Sequence, residues 1–205
     1  WFADPRWIVR KGTLHLADST RKVTLWSMYK PKNAERWENS IEYLHDSGYW
    51  YSMFNGDYPY NHITAVDGDM SAGGGMEYPN ITVISKMDSK HLLEMVIMHE
   101  VGHNWFFGMV GNNETYRAAL DEGFTQFLTA WSLESIDGKY MTRTKPKNLY
   151  PKLFFKDELV RDSRVYLRYL LDALRGTDPR LNTHSDDFGG KLRHGGGYSH
   201  VYYKT

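Results

Sequence analysis

His99 and His103 stand four residues apart in Met98-His99-Glu100-Val101-Gly102-His103-Asn104-Trp105. On a helix, residues at i and i+4 lie one turn above each other, so two imidazoles at this spacing converge on a single ion. Glu100 is rotated by about 100° from His99 and borders the coordination position left open for water. Two ligands and a general base thus come from one turn; the competing interpretation is a surface helix with two solvated histidines. A catalytic zinc takes three protein ligands and a water, so a third His or carboxylate has to reach in from elsewhere. Glu122 meets that need, 18 intervening residues after His103 in Leu120-Asp121-Glu122-Gly123-Phe124. Alone, it would also read as an acidic residue favoured in a first helical turn by the helix dipole. Cysteine is absent, which excludes disulfides and thiolate ligation and leaves His and carboxylates as donors. The expectation is one Zn2+ held by His99, His103 and Glu122.

The elements that must position these residues follow from periodicity. Leu92, Met95 and Val96 share the face of His99 and His103, giving a helix from about Ser89 to Phe107. A second helix begins near Asp121 and carries Phe124, Phe127, Leu128 and Trp131 at spacings of three and four, and a third runs roughly from Asp157 to Leu174. Earlier in the chain, Ala34, Trp37, Ile41 and Leu44 recur at helical spacing after Pro31, with Gly48 or Gly56 as the terminator. Short β-like segments cover Trp7 to Val9, Thr13 to Leu16 and Lys22 to Trp26, and Ile63 to Val66 and Ile81 to Ile84 read as buried strands. Strands leading into helices favour an α+β fold. Residues 1–30 read as leading strands or the end of a preceding β domain, and residues 31–205 as the catalytic domain. Gly189 to Gly197 holds five glycines and reads as a loop.

Ser71-Ala72-Gly73-Gly74-Gly75-Met76-Glu77-Tyr78-Pro79 lies between two of these strands. A glycine-rich edge strand lets a peptide backbone approach and pair as an added strand; the plainer alternative is a glycine-rich turn with Glu77 solvated.

These motifs together resemble the gluzincin aminopeptidases, the alanyl and leucyl aminopeptidases and leukotriene hydrolase. In that family H-E-x-x-H is followed after 18 residues by the Glu of an N-E-G-F motif, similar to Glu122-Gly123-Phe124 with Asp121 in place of Asn. The aromatic stretch after the second His is similar to Trp105-Phe106-Phe107-Gly108, and the G-x-M-E-N motif resembles Gly74-Gly75-Met76-Glu77-Tyr78, with Tyr78 in place of Asn. The resemblance spans most of the chain from about Gly73 to Thr205. It implies a thermolysin-like catalytic domain, a small mixed β-sheet followed by a mainly helical lobe. It also implies that Gly74, Gly75, Met76 and Glu77 bind substrate, with the Glu77 carboxylate on the free α-ammonium. Tyr202 in Tyr202-Tyr203-Lys204 matches the family's Y-x-K-G motif and would donate to the oxyanion, with Tyr203 or Tyr198 as alternatives and Thr205 where the family has Gly. The family often orients a zinc-bound His with a Glu seven residues after the third ligand, where this chain has Thr129.

The implied reaction is hydrolysis of the N-terminal peptide bond of peptides, with Glu100 as base. The rivals are a thermolysin-type zinc endopeptidase, an epoxide hydrolase and a catalytically silent zinc module. A purely structural version of that module requires a closed four-ligand site, and only three ligands and a catalytic-type Glu are evident. Balanced charge, 25 Lys+Arg against 25 Asp+Glu, argues against nucleic acid as a partner. No apolar run is long enough to cross a bilayer. His45, His62, His91, His184 and His200 lack ligand spacing and read as surface or loop residues. The termini lack start and stop signals, so further domains of a longer parent chain are expected. The Gly74-to-Pro79 stretch resembles that of bacterial members and points to an extracytoplasmic setting.

Overall fold

A computed structural model of the chain describes residues 4–17, 20–70, 73–139, 159–176 and 180–187. The chain divides into two compact units, Trp1–Gly111 and Asn112–Thr205.

The first unit is built on a five-stranded mixed sheet. Its strands are β1 (Ile8–His15), β2 (Lys22–Tyr29), β3 (His62–Asp67), β4 (Gly75–Met76) and β5 (Ile81–Ile84), in the order β1-β2-β3-β5-β4. The pairs β1–β2 and β5–β4 are antiparallel, while β2–β3 and β3–β5 are parallel. The two segments expected at Trp7 to Val9 and Thr13 to Leu16 are one continuous strand. The whole of it pairs with β2, from Ile8 opposite Tyr29 to His15 opposite Lys22. Its middle, Arg10 and Lys11, is exposed on an edge and carries no apolar signal. In β2, Val23, Leu25, Ser27 and Tyr29 are buried in strict alternation, the period-2 signature of a strand with one covered face. The centrally placed β3 is buried from Ile63 to Asp67, which explains its unbroken run of small and apolar residues.

A short helix, α1 (Ala34–Trp37), precedes α2 (Ser40–Asn55), which forms the crossover between the parallel strands β2 and β3 and packs on β1, β2 and β3. Gly56 ends α2 with a positive φ of 91°, its N–H bonded to the Ser52 carbonyl. Gly48 lies inside the helix, where an added Cβ would fall 2.5 Å from Leu14 Cδ2 and 3.0 Å from Ile63 Cδ1. It is therefore a packing glycine, letting α2 settle on the sheet.

Next comes α3 (Lys90–Phe106), packed on α2, β5 and β4. Ser89 caps it, accepting the Leu92 N–H at 3.1 Å. Its close approach to α2 depends on Gly102, where an added Cβ would fall 2.6 Å from Tyr51 Cζ and 2.7 Å from Cε1. Tyr51 is fully buried and stacks on Trp105 at 5.3 Å, so its ring has no room to retreat. Ala in a helix interior would ordinarily gain up to about 1 kcal/mol over Gly, but overpacking a core costs about 1–3 kcal/mol. Gly102→Ala is therefore expected to be a net destabilisation of about 1–2 kcal/mol, read as a lowered midpoint in urea unfolding.

The second unit begins its regular structure with a π-helical turn, Ala119–Gly123, that runs straight into α4 (Phe124–Asp137). Gly138 closes α4 at φ 90°. Glu134, in its last turn, pairs with Arg161, whose Nε lies 2.8 Å away. A second π segment, Asp162–Tyr166, leads into α5 (Leu167–Leu174), and Gln126 of α4 donates to the Arg164 carbonyl at 3.0 Å. The expected third helix is thus resolved into these two pieces, its start at Asp157 lying outside the described residues. Among the described residues no helix is long and apolar enough to cross a membrane.

Candidate active site

His99 and His103 sit on consecutive turns in the buried C-terminal half of α3. Their Nε2 atoms are 3.2 Å apart and the rings stand edge to face at 84°. Two nitrogens at about 2.0–2.1 Å from one tetrahedral zinc are about 3.3 Å apart, so the pair has the separation that two ligands of one ion require. Their donor chemistry, two imidazoles with no thiolate, suits zinc as well.

Glu100 is 5% exposed. Beside it lies the glycine motif on the sheet edge, where β4 pairs with β5 through only Gly75 opposite Ile84 and Met76 opposite Val83. Glu77 follows β4 immediately, and Glu77, Glu100 and His103 present carboxylate and imidazole atoms that all lie within 4.8 Å of one another. Two carboxylates and an imidazole so gathered are suited to a cationic group.

The three glycines of the motif serve different ends. Gly73 and Gly74 take positive φ values of 73° and 64°, a conformation other residues rarely adopt. Gly75 does not, but an added Cβ there would come under 3.0 Å from Cγ, Cδ and Oε1 of Glu100. Its missing side chain is the space the Glu100 carboxylate occupies. Spacing alone pointed to close approach of a peptide at this position; the approach seen within the chain is that of its own glutamate.

Within the second unit, Asp121 and Glu122 are both buried in the π-helical turn. Such a turn holds one residue more than an α-turn and re-aims the side chains it carries, and insertions of this kind recur at functional sites. Glu122 N–H bonds the Ala118 carbonyl at 2.9 Å. Thr129, where the resemblance implies an orienting Glu, donates its hydroxyl to the Thr125 carbonyl of its own helix at 2.7 Å. Tyr198, Tyr202, Tyr203 and His200 lie outside the described residues, as do Ser71, Ala72 and the glycine-rich run at 189–197. Of the other histidines, His62 is the first residue of β3 rather than a loop residue, and His45 lies on α2 beside Asp46.

One set of residues was not legible from spacing. Asn104 Oδ1 accepts the Asn80 N–H at 3.0 Å, and the Tyr58 hydroxyl lies 2.9 Å from Asn80 Oδ1 and 3.0 Å from the His62 carbonyl. Burial, with Tyr60 alongside, pushes the Tyr58 hydroxyl far above its ordinary pKa, so it remains a proton donor. The signal available in the sequence was the Pro79-Asn80 pair, a turn signature.

The chain thus sets a buried H-E-x-x-H helix beside the edge of the sheet of an α+β fold. Residues 48–165 match the peptidase family M1 domain, more than half of the chain, and the chain belongs to that family. No curated protein sequence matches it. Among solved structures it is similar to Legionella pneumophila aminopeptidase A in complex with aspartic acid, with 18% identity and a TM-score of 0.55 over 67% of this chain and 17% of that one. It is also similar to an M1 zinc metallopeptidase from Deinococcus radiodurans, with 19% identity and a TM-score of 0.48 over 64% of this chain and 29% of that one. The chain thus spans less than a third of the length of these solved relatives.

Proposed function

We propose that this chain carries the catalytic core of a zinc-dependent aminopeptidase that removes the first residue of peptides with a free N-terminus. His99, His103 and Glu122 would hold one zinc ion. Bound there, zinc supplies Lewis acidity toward a carbonyl and makes water acidic enough to ionise near neutral pH. Glu100 takes a proton from the attacking water as its oxygen bonds the scissile carbonyl carbon, and delivers that proton to the departing amine as the C–N bond breaks. The products are a free amino acid and a peptide one residue shorter. Tyr202 is assigned the donor to the oxyanion on motif alignment. An extracytoplasmic setting belongs to the same proposal and rests on the Gly74-to-Pro79 stretch.

The observation that carries the exopeptidase half is Glu77, which stands beside Glu100 and His103 at the end of an edge strand. A carboxylate there meets the α-ammonium of a peptide whose first carbonyl is at the reacting position. A peptide bound with an internal carbonyl at the reacting position would place an uncharged amide against it. Charge-assisted hydrogen bonds contribute about 1.5–3 kcal/mol, so Glu77→Ala is expected to lower kcat/KM for free-N-terminal peptides by about 10- to 100-fold. Hydrolysis of the N-acetylated peptides should change little. Equal losses on both would make the enzyme an endopeptidase, and a chain that binds zinc yet hydrolyses neither would be the silent module.

A further inference from the structure

We infer that Asn104 is a positioning residue for N-terminal recognition: its amide clamps the turn after Glu77 to the histidine-bearing helix and so fixes where the Glu77 carboxylate stands. The inference rests on the reading of Glu77 as the ammonium ligand.

Glu77 emerges from a strand only two residues long, so the strand itself holds it weakly. The Ser85 N–H to the Gly74 carbonyl and the Thr82 hydroxyl to the Met76 carbonyl add two bonds before it. After it the chain turns at Tyr78-Pro79-Asn80-Ile81, with the Ile81 N–H on the Tyr78 carbonyl at 2.9 Å. Proline at the second position and a positive φ at the third are the marks of a type II turn. Asn80 supplies that φ at 65°, the only non-glycine residue with positive φ among the described residues. It is held there on three sides: its N–H by Asn104, its side-chain oxygen by Tyr58, and its carbonyl by the Thr64 N–H at 2.9 Å.

The Asn104 amide has one orientation that works. Its oxygen faces an N–H that can only donate, and its nitrogen, 3.0 Å from the Val101 carbonyl, faces an oxygen that can only accept. It is 7% exposed, so water is a poor substitute for either bond. Asn104 also follows His103 directly in sequence. The clamp therefore joins the turn of α3 that bears the second histidine to the turn that follows Glu77. A purely structural amide would stabilise the fold without favouring any substrate; this one is placed to set the distance between the reacting site and the group that reads the N-terminus.

The test uses the whole chain loaded with zinc and two probes, leucine hydroxamate and N-acetyl-leucine hydroxamate. Both have the same metal-binding group, and only the first has the free amine. The ratio of their affinities reads Glu77 placement without requiring turnover. Asn104→Leu is expected to cut the preference for the free amine about tenfold or more, with zinc stoichiometry and affinity for the acetylated probe unchanged. Asn104→Asp, which keeps an acceptor for the Asn80 N–H but sets a carboxylate oxygen against the Val101 carbonyl, should retain only part of the preference, more than Asn104→Leu and less than wild type. Tyr58→Phe loosens the same turn from its other side and should move the ratio in the same direction, which covers the case of an Asn104→Leu chain that does not fold. A folded Asn104→Leu or Tyr58→Phe chain with undiminished preference overturns the inference, as does a parallel fall in affinity for both probes. A wild-type chain that shows no preference, or one whose preference survives Glu77→Ala, instead removes the reading of Glu77 on which it rests.

Discussion

Glu100→Gln is expected to leave zinc bound at full stoichiometry and to lower turnover of an aminoacyl p-nitroanilide by about 10²–10⁴-fold, the usual contribution of a positioned general acid–base. The argument begins with shape. Gln matches Glu in size and Glu100 is buried, so the substitution leaves packing intact and removes only the capacity to take up and return a proton. Rotated off the line of His99 and His103 on α3, Glu100 flanks the histidine pair and is not assigned to the ligand set. Metal content is therefore the internal control. Glu122→Gln, by contrast, replaces an assigned ligand and is expected to lower zinc content together with activity. Metal analysis and initial rates on the same preparations separate the two roles. Near-wild-type turnover in Glu100→Gln would sink the assignment of the base, and full zinc retention in Glu122→Gln would sink that of the third ligand.

What was legible in the sequence was whatever depends on neighbours within one turn or one strand. The i, i+4 imidazoles, the helix start near Ser89 and the apolar runs of β3 and β5 are such features, and each is found in the structure at or within a residue or two of its expected place. What escaped depends on partners far along the chain. Lys11-Gly12 looks like a break, yet β1 runs through it because β2 supplies a partner at every position. Gly48 looks like a terminator, yet it is interior because Leu14 and Ile63 occupy the space of its side chain. A helix was expected from Asp121; the Ala119–Gly123 turn before α4 instead carries one residue per turn too many, and no local propensity announces that. Asn80 and Asn104, 24 residues apart, carry no shared pattern that marks their bond.

Gly75→Ala should be about as damaging as Glu77→Ala, and the way it does its damage distinguishes two reasons for a glycine there. If glycine is needed only so that a peptide can pair with the sheet edge, a methyl group obstructs binding: KM rises and kcat holds. The structure adds a second demand, because the new Cβ would overlap Cγ, Cδ and Oε1 of Glu100. A flexible carboxylate can swing away at modest cost to the fold, whereas backbone could not. The overlap is thus relieved by moving the base rather than by unfolding the protein. Displacements of about 1 Å at a reacting group cost about 100-fold in rate, so kcat should fall by roughly one to two orders of magnitude while thermal stability and zinc content stay near wild type. In a Gly75→Ala, Glu100→Gln double variant the two losses should fail to add, since a base already removed cannot be displaced. A fall in Tm matching the fall in activity, or full additivity in the double variant, would mean that Gly75 and Glu100 act separately.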